Sequence, residues 1–176
     1  MKKSSKNEET LLISHLMRRA GFGITPTEMD EYQNMAYADI VERLLNPTDH
    51  SKTMSEDIIY RRFPEYHAAP GVDASSSWGF RMITTENPLE EKMAFFWHGV
   101  FATGNDKLNN PISMHSQIET FRRHGTGRFD DILLQLSKDP AMLIFLDNQT
   151  NHGSSINENY GREILELFSL GVGNYT

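Results

Sequence analysis

Two side chains able to do acid–base chemistry stand out by their surroundings, His98 and Glu163. His98 lies in the stretch Phe95-Phe96-Trp97-His98-Gly99-Val100-Phe101-Ala102-Thr103. An imidazole there could ligate a metal or act as a general base near neutral pH. It is the best metal-ligand candidate in the chain, and a divalent metal is the cofactor such a site would call for. The competing reading is a histidine at the boundary of a packed face, hydrogen-bonded to a carboxylate or carbonyl, and spacing alone favours it. Glu163 lies near the end of Asn157-Glu158-Asn159-Tyr160-Gly161-Arg162-Glu163, at the edge of an apolar face that holds Ile156, Tyr160 and Leu167. A carboxylate at such an edge is either paired or functional, and a structural ion pair is the commoner outcome.

The remaining polar candidates for binding are Arg18, Arg19, Asn157, Glu158 and Arg162. Glu158, Arg162 and Glu166 recur at i, i+4 and i+8, a spacing that reads first as solvated ion pairs worth roughly a few tenths of a kcal/mol each. Arg18-Arg19 and Arg122-Arg123-His124 fall near expected helix carboxyl ends, where cations favour the dipole. They could instead neutralise Glu163 or Asp147 in an internal network joining the first and last helices. No His-Glu-x-x-His motif, phosphate-binding glycine loop or Gly-x-Ser-x-Gly elbow occurs.

The elements that must position these groups are helices. Thr25-Pro26-Thr27-Glu28 places a cap, a proline at the first helical position and a carboxylate at the third. Asn87-Pro88, Asn110-Pro111 and Asp139-Pro140 mark further starts, and Ser155-Ile156-Asn157-Glu158 offers a capping box without proline. Nothing alternates like a strand. Helices are expected near 9–20, 26–35, 37–46, 55–63, 77–86, 88–102, 111–124, 128–138, 140–147 and 157–170. The fold class is therefore all-α, an irregular multi-helix domain. The longest break, 62–77, with Pro64, Pro70 and Gly71, reads as a loop or hinge. In the helix from Pro88, Leu89, Met93, Phe96 and Val100 share one face, with Glu91, Lys92 and His98 on the other. In the last helix, Tyr160, Ile164, Leu167 and Phe168 share a face while Leu165 sits among the polar residues.

Composition narrows the function classes. The chain has 176 residues, 38% of them hydrophobic, and a formal charge of −7. That balance argues against a nucleic-acid groove or an anionic membrane as the main partner, since both need concentrated cationic surface. The absence of cysteine removes disulfide, thiolate and iron–sulfur chemistry. No stretch approaches the roughly 20 apolar residues of a membrane span. Lys2-Lys3 is followed by Glu8-Glu9 and only a short apolar run, Leu11-Leu12-Ile13, which is too brief for a signal core and makes the cytoplasm the expected location.

Four stretches occur in an order that resembles a bacterial family, domain of unknown function family 1800. They are His15-Leu16-Met17-Arg18-Arg19-Ala20-Gly21-Phe22-Gly23 with Thr25-Pro26, the Phe-Trp-His stretch, Asp139-Pro140-Ala141-Met142-Leu143 with Leu146-Asp147-Asn148, and the Asn-Glu-Asn helix. The pattern departs at Val100, where many relatives carry a second histidine, so a role that needs a histidine pair does not carry over. The resemblance implies a domain of several hundred residues and relatives with export signals. On it, residues 1–176 form a single α-helical unit, incomplete at its carboxyl end, whose partner is the remainder of its own domain. Two functions follow. One is a helical scaffold or assembly module; the other is a metal-assisted or acid–base enzyme whose His98/Glu163 site is completed beyond residue 176.

Overall fold

The computed structural model describes residues 6–47, 61 and 74–175. Among them are ten α-helices and no strand: α1 Lys6–Ala20, α2 Pro26–Tyr32, α3 Tyr37–Leu45, α4 Ala74–Thr84, α5 Pro88–Phe101, α6 Asn105–Leu108, α7 Pro111–His124, α8 Phe129–Leu136, α9 Pro140–Phe145 and α10 Asn159–Glu166. The fold is an all-α, irregular multi-helix one. The helix expected near 55–63 lies, apart from residue 61, outside the described residues, as does most of the break at 62–77. Helix α4 begins at Ala74, within that expected break. Short α6 was not anticipated, because Asn105-Asp106-Lys107-Leu108 is too brief to show a period.

Local chemistry fixes several starts. Thr25 forms the full capping box, its Oγ1 accepting from Glu28 N while Glu28 accepts from Thr25 N. Asn110 and Asp139 accept from Ser113 N and Met142 N, each just before a proline at the first helical position. The capping box expected at Ser155 does not form. Ser155 instead pairs its backbone with His152 in an isolated antiparallel bridge, and α10 starts only at Asn159.

The chain divides into two compact units, residues 1–67 with 75–92, and residues 68–74 with 93–176. In the first unit, Ile13, Met17 and Ala20 of α1 repeat at i, i+4 and i+7 and bury with Tyr32, Ile40 and Leu44. Trp78 of α4 donates its indole N–H to the buried Glu91 carboxylate at 3.0 Å. Two glycines set the turn after α1. A Cβ at Gly21 would lie 2.8 Å from Pro88 Cβ, and Gly23 adopts φ +133°.

The second unit centres on rings. Phe101 stacks on Phe121 at 5.6 Å and on Trp97 at 5.7 Å, and meets Phe168 edge-on at 5.1 Å. Ile132, Leu136, Ala141 and Met142 are fully buried in the same unit.

Helix α5 buries a different face from the one its polarity suggests. Glu91, Ala94 and Phe101 are buried and His98 half-buried, whereas Phe96 is 52% and Val100 38% exposed. A helix apolar nearly all round has no decisive stripe. The Trp78 N–H donates to Glu91 and so lowers the cost of turning the face that carries the carboxylate inward.

These contacts predict a contrast among glycines. Gly21→Ala and Gly23→Ala should each lower stability by about 1–3 kcal/mol in urea unfolding, through overpacking and backbone strain respectively. Gly99→Ala and Gly161→Ala, where an added Cβ meets nothing within 4 Å, should be neutral or stabilising by up to ~1 kcal/mol. Equal losses at all four positions would refute this account.

Candidate functional site

A helix leaves its last carbonyls without intrahelical partners. At the end of α9 the carbonyls of Phe145, Leu146 and Asp147 each accept from a side chain elsewhere in the second unit, and that of Asp147 accepts as well from the Thr150 hydroxyl at 2.7 Å and the Thr150 N–H. Lys107 Nζ donates to Phe145 O at 2.6 Å and to the Asp147 carboxylate at 2.8 Å. Asn159 Nδ2 donates to Leu146 O, and Asn157 Nδ2 to Asp147 O, both at 3.1 Å. The chain turns here through Asp147, a non-glycine residue at φ 58°. Asn157 Oδ1 in turn accepts from Asn159 N at 3.0 Å, and Asn151 Oδ1 from Asn157 N at 3.1 Å. The Asn-x-Asn spacing thus places two amides on consecutive carbonyls.

Arg162 extends this network along α10. Its guanidinium donates to Asn159 Oδ1 at 2.9 Å, to Glu163 at 2.7 Å and to Glu166 at 3.3 Å. Tyr175 O–H donates to the other oxygen of Glu166 at 2.6 Å, and that bond holds the phenol above its ordinary pKa. Glu163 therefore has its cation within its own helix. Asp147 is likewise paired with Lys107, so neither relies on the internal network considered for Arg18, Arg19, Arg122 and Arg123. Arg18 and Arg19 are exposed in the last turn of α1, and Arg122 pairs with Glu119. Glu158 is exposed at the start of α10 and caps nothing with its side chain.

At the other end of α9, Asp139 Oδ1 accepts from Met142 N at 2.8 Å and from fully buried Gln117 at 2.7 Å. Burial pushes the Asp139 carboxyl up, and the two hydrogen bonds only partly oppose it. His98 is half-buried, and burial pushes its imidazole below the usual value, which keeps it neutral at pH 7. Its neighbour Trp97 donates to Gly125 O at 2.8 Å and stacks on Phe129 at 5.8 Å. Among the described residues no three His, Asp or Glu side chains gather as a metal-holding group.

The family model described as a protein of unknown function (DUF1800) matches residues 15–176. The chain belongs to the DUF1800 family. No curated protein and no solved structure matches it. All four stretches that carried the resemblance fall within the matched residues. In this DUF1800 chain, the structure joins Asn157, Arg162 and Glu163 of the expected site residues. Sequence reasoning missed Asn159, Lys107 and Gln117 as members of these networks, while Asp139 was expected only as the cap of its helix. Asn159 was visible inside the motif. Lys107 and Gln117 reach partners 38–40 and 22 positions away, and nothing local signals such contacts.

Two predictions follow from these bonds. Asn159→Ala should cost about 1–3 kcal/mol, the penalty for an unsatisfied carbonyl at Leu146, and Asn157→Ala less, since Asp147 O keeps the Thr150 N–H and hydroxyl as donors, while exposed Glu158→Gln should stay within about 0.5 kcal/mol in urea unfolding. The second concerns pH. With the folded pKa of His98 below the unfolded value of roughly 6.5, the unfolded chain binds more protons, so stability rises with pH. The contribution is complete above that value and is lost on acidification through it toward the folded pKa. Urea midpoints between pH 8 and 5 should fall toward acid, and His98→Gln should flatten the slope; an unchanged slope would contradict the burial effect.

Proposed function

We propose that the chain is a helical scaffold or assembly module whose second unit offers an apolar seat to the carboxyl-terminal remainder of its own domain. The supporting observation is α10 and its flanks. The helix is amphipathic, yet none of its residues is buried. Beside it Ile156 is 82%, Leu167 64%, Leu170 52% and Val172 76% exposed, and only Phe168 is buried, against Phe101. Phe95, Phe96 and Val100 of α5 add exposed apolar surface to the same unit.

Magnitudes indicate which side of α10 receives a partner. Fully covering a leucine is worth roughly 1.5–3 kcal/mol. The exposed pairs of Arg162 are worth ~1 kcal/mol or less each. The apolar side therefore dominates, and Arg162 with its glutamates supplies a polar rim. No helix among the described residues is long and apolar enough to cross a membrane. The reading carries with it a cytoplasmic location and no nucleic-acid partner, in keeping with the formal charge of −7. The metal-assisted or acid–base alternative gains no support, since the Glu163 carboxylate already has Arg162 as its counter-ion.

The test uses dye binding and hydrodynamics. The 176-residue chain should bind a hydrophobic dye and self-associate, and Leu167→Glu with Leu170→Glu should abolish both while unfolding stays cooperative. Extension into the natural downstream sequence should have the same effect as the two glutamates. A parent chain that is monomeric and silent to the dye would end the assembly reading.

A further inference from the structure

The first unit contains a groove of about 610 Å³ that the assembly reading leaves unused. Met17, Phe22, Ile24, Met82, Ile83 and Pro88 line it, and its size falls within the range of small-molecule sites. Two of the six are methionines, whose flexible thioethers adapt to the shape of a hydrocarbon.

Gly23 and Gly79 also belong to the lining, with Thr25 and Thr85, and a Cβ built at either glycine would meet no heavy atom within 4 Å among the described residues. Gly23 is required by its φ of +133°. No such requirement holds at Gly79. It lies inside α4, where glycine costs roughly 0.5–1 kcal/mol relative to alanine, and among the described residues nothing comes within 4 Å of where its Cβ would lie. What its missing side chain leaves open is the groove.

Charge distinguishes the ligand's head. Glu28 also lines the groove, but Thr25 N and Oγ1 both donate to its carboxylate at 2.7 Å, so it is spent on capping α2. Lys92 differs. Its ammonium sits 4.9 Å from the centre of the Phe22 ring, and among the described residues it makes no ion pair or hydrogen bond. The groove, lined largely by apolar side chains with Glu28 held at the cap of α2, thus has at its Phe22 wall a cation that no described residue pairs.

We propose that this groove binds an unbranched hydrocarbon chain ending in a carboxylate, with the hydrocarbon against Met17, Met82 and Ile83 over Gly79 and the carboxylate on Lys92. Ile83, 85% exposed in the empty groove, is the side chain such a ligand would cover.

The test is titration of the full 176-residue chain with octanoate, below micelle formation, read by calorimetry and by amide chemical shifts. Octan-1-ol and octylammonium serve as the head-group controls. Octanoate should bind saturably and shift the amides of Gly23, Gly79 and Met82. Lys92→Met, which keeps apolar contact with Phe22, should weaken octanoate about tenfold, as loss of a charge-assisted hydrogen bond does, and leave octan-1-ol unchanged. Gly79→Leu should fold with at least parental stability and bind neither. Absence of saturable octanoate binding, equal or tighter binding of octylammonium, or full binding by Gly79→Leu would each overturn the proposal.

Discussion

The carbonyl groups of Phe145, Leu146 and Asp147 need donors, and much of the second unit is arranged to provide them. Helix α9 ends at Phe145, and the carbonyls of Phe145 and of the two residues that follow it each accept from a side chain. Each hydrogen bond adds only about 0.5–1.5 kcal/mol net, but an orphaned buried carbonyl costs about 1–3 kcal/mol. That asymmetry explains why the donors come from both sides of α9 in sequence. Lys107 arrives from α6, and Asn157 and Asn159 from the start of α10. Asp147 is held in the left-handed region by this ring of donors, a conformation that costs of order 1 kcal/mol or more outside glycine.

Polar burial elsewhere follows the same rule. Glu91 is buried where Trp78 supplies an N–H, and Asp139 where Gln117 and Met142 do. The Phe-Trp-His stretch belongs to this packing as well. Trp97 donates to Gly125 O and stacks on two rings, while Phe101 meets both Phe121 and Phe168. A residue run with the look of a catalytic motif supplies the aromatic core of its unit, with His98 neutralised by partial burial at its edge.

Helix α10 shows how charge and apolar surface divide roles. Arg162 gathers Asn159, Glu163 and Glu166, which quiets the charged side, and Tyr175 closes on Glu166 from the following segment. On the apolar side Phe168 is buried and Tyr160 and Ile164 are half-buried, while Leu167 and the flanking Leu170 stay exposed. The assembly reading therefore rests on surface that is free, and the groove of the first unit lies on residues that take no part in it.

The sequence alone determined the all-α class and where most helices begin. Thr25-Pro26, Asn110-Pro111 and Asp139-Pro140 act through bonds spanning three residues, which need no knowledge of the rest of the chain. It also carried the family, through short stretches whose order can be read directly. Tertiary structure decided which face of α5 is buried, because Phe96 and Val100 are as apolar as Ala94 and Phe101, and burial of Glu91 draws on a donor from another helix, the Trp78 N–H. It likewise decided that Ser155 would pair with His152 rather than cap α10, and that Lys107 would close the end of α9. Those choices compare long-range alternatives of similar local energy, and the comparison is made only once the helices have packed.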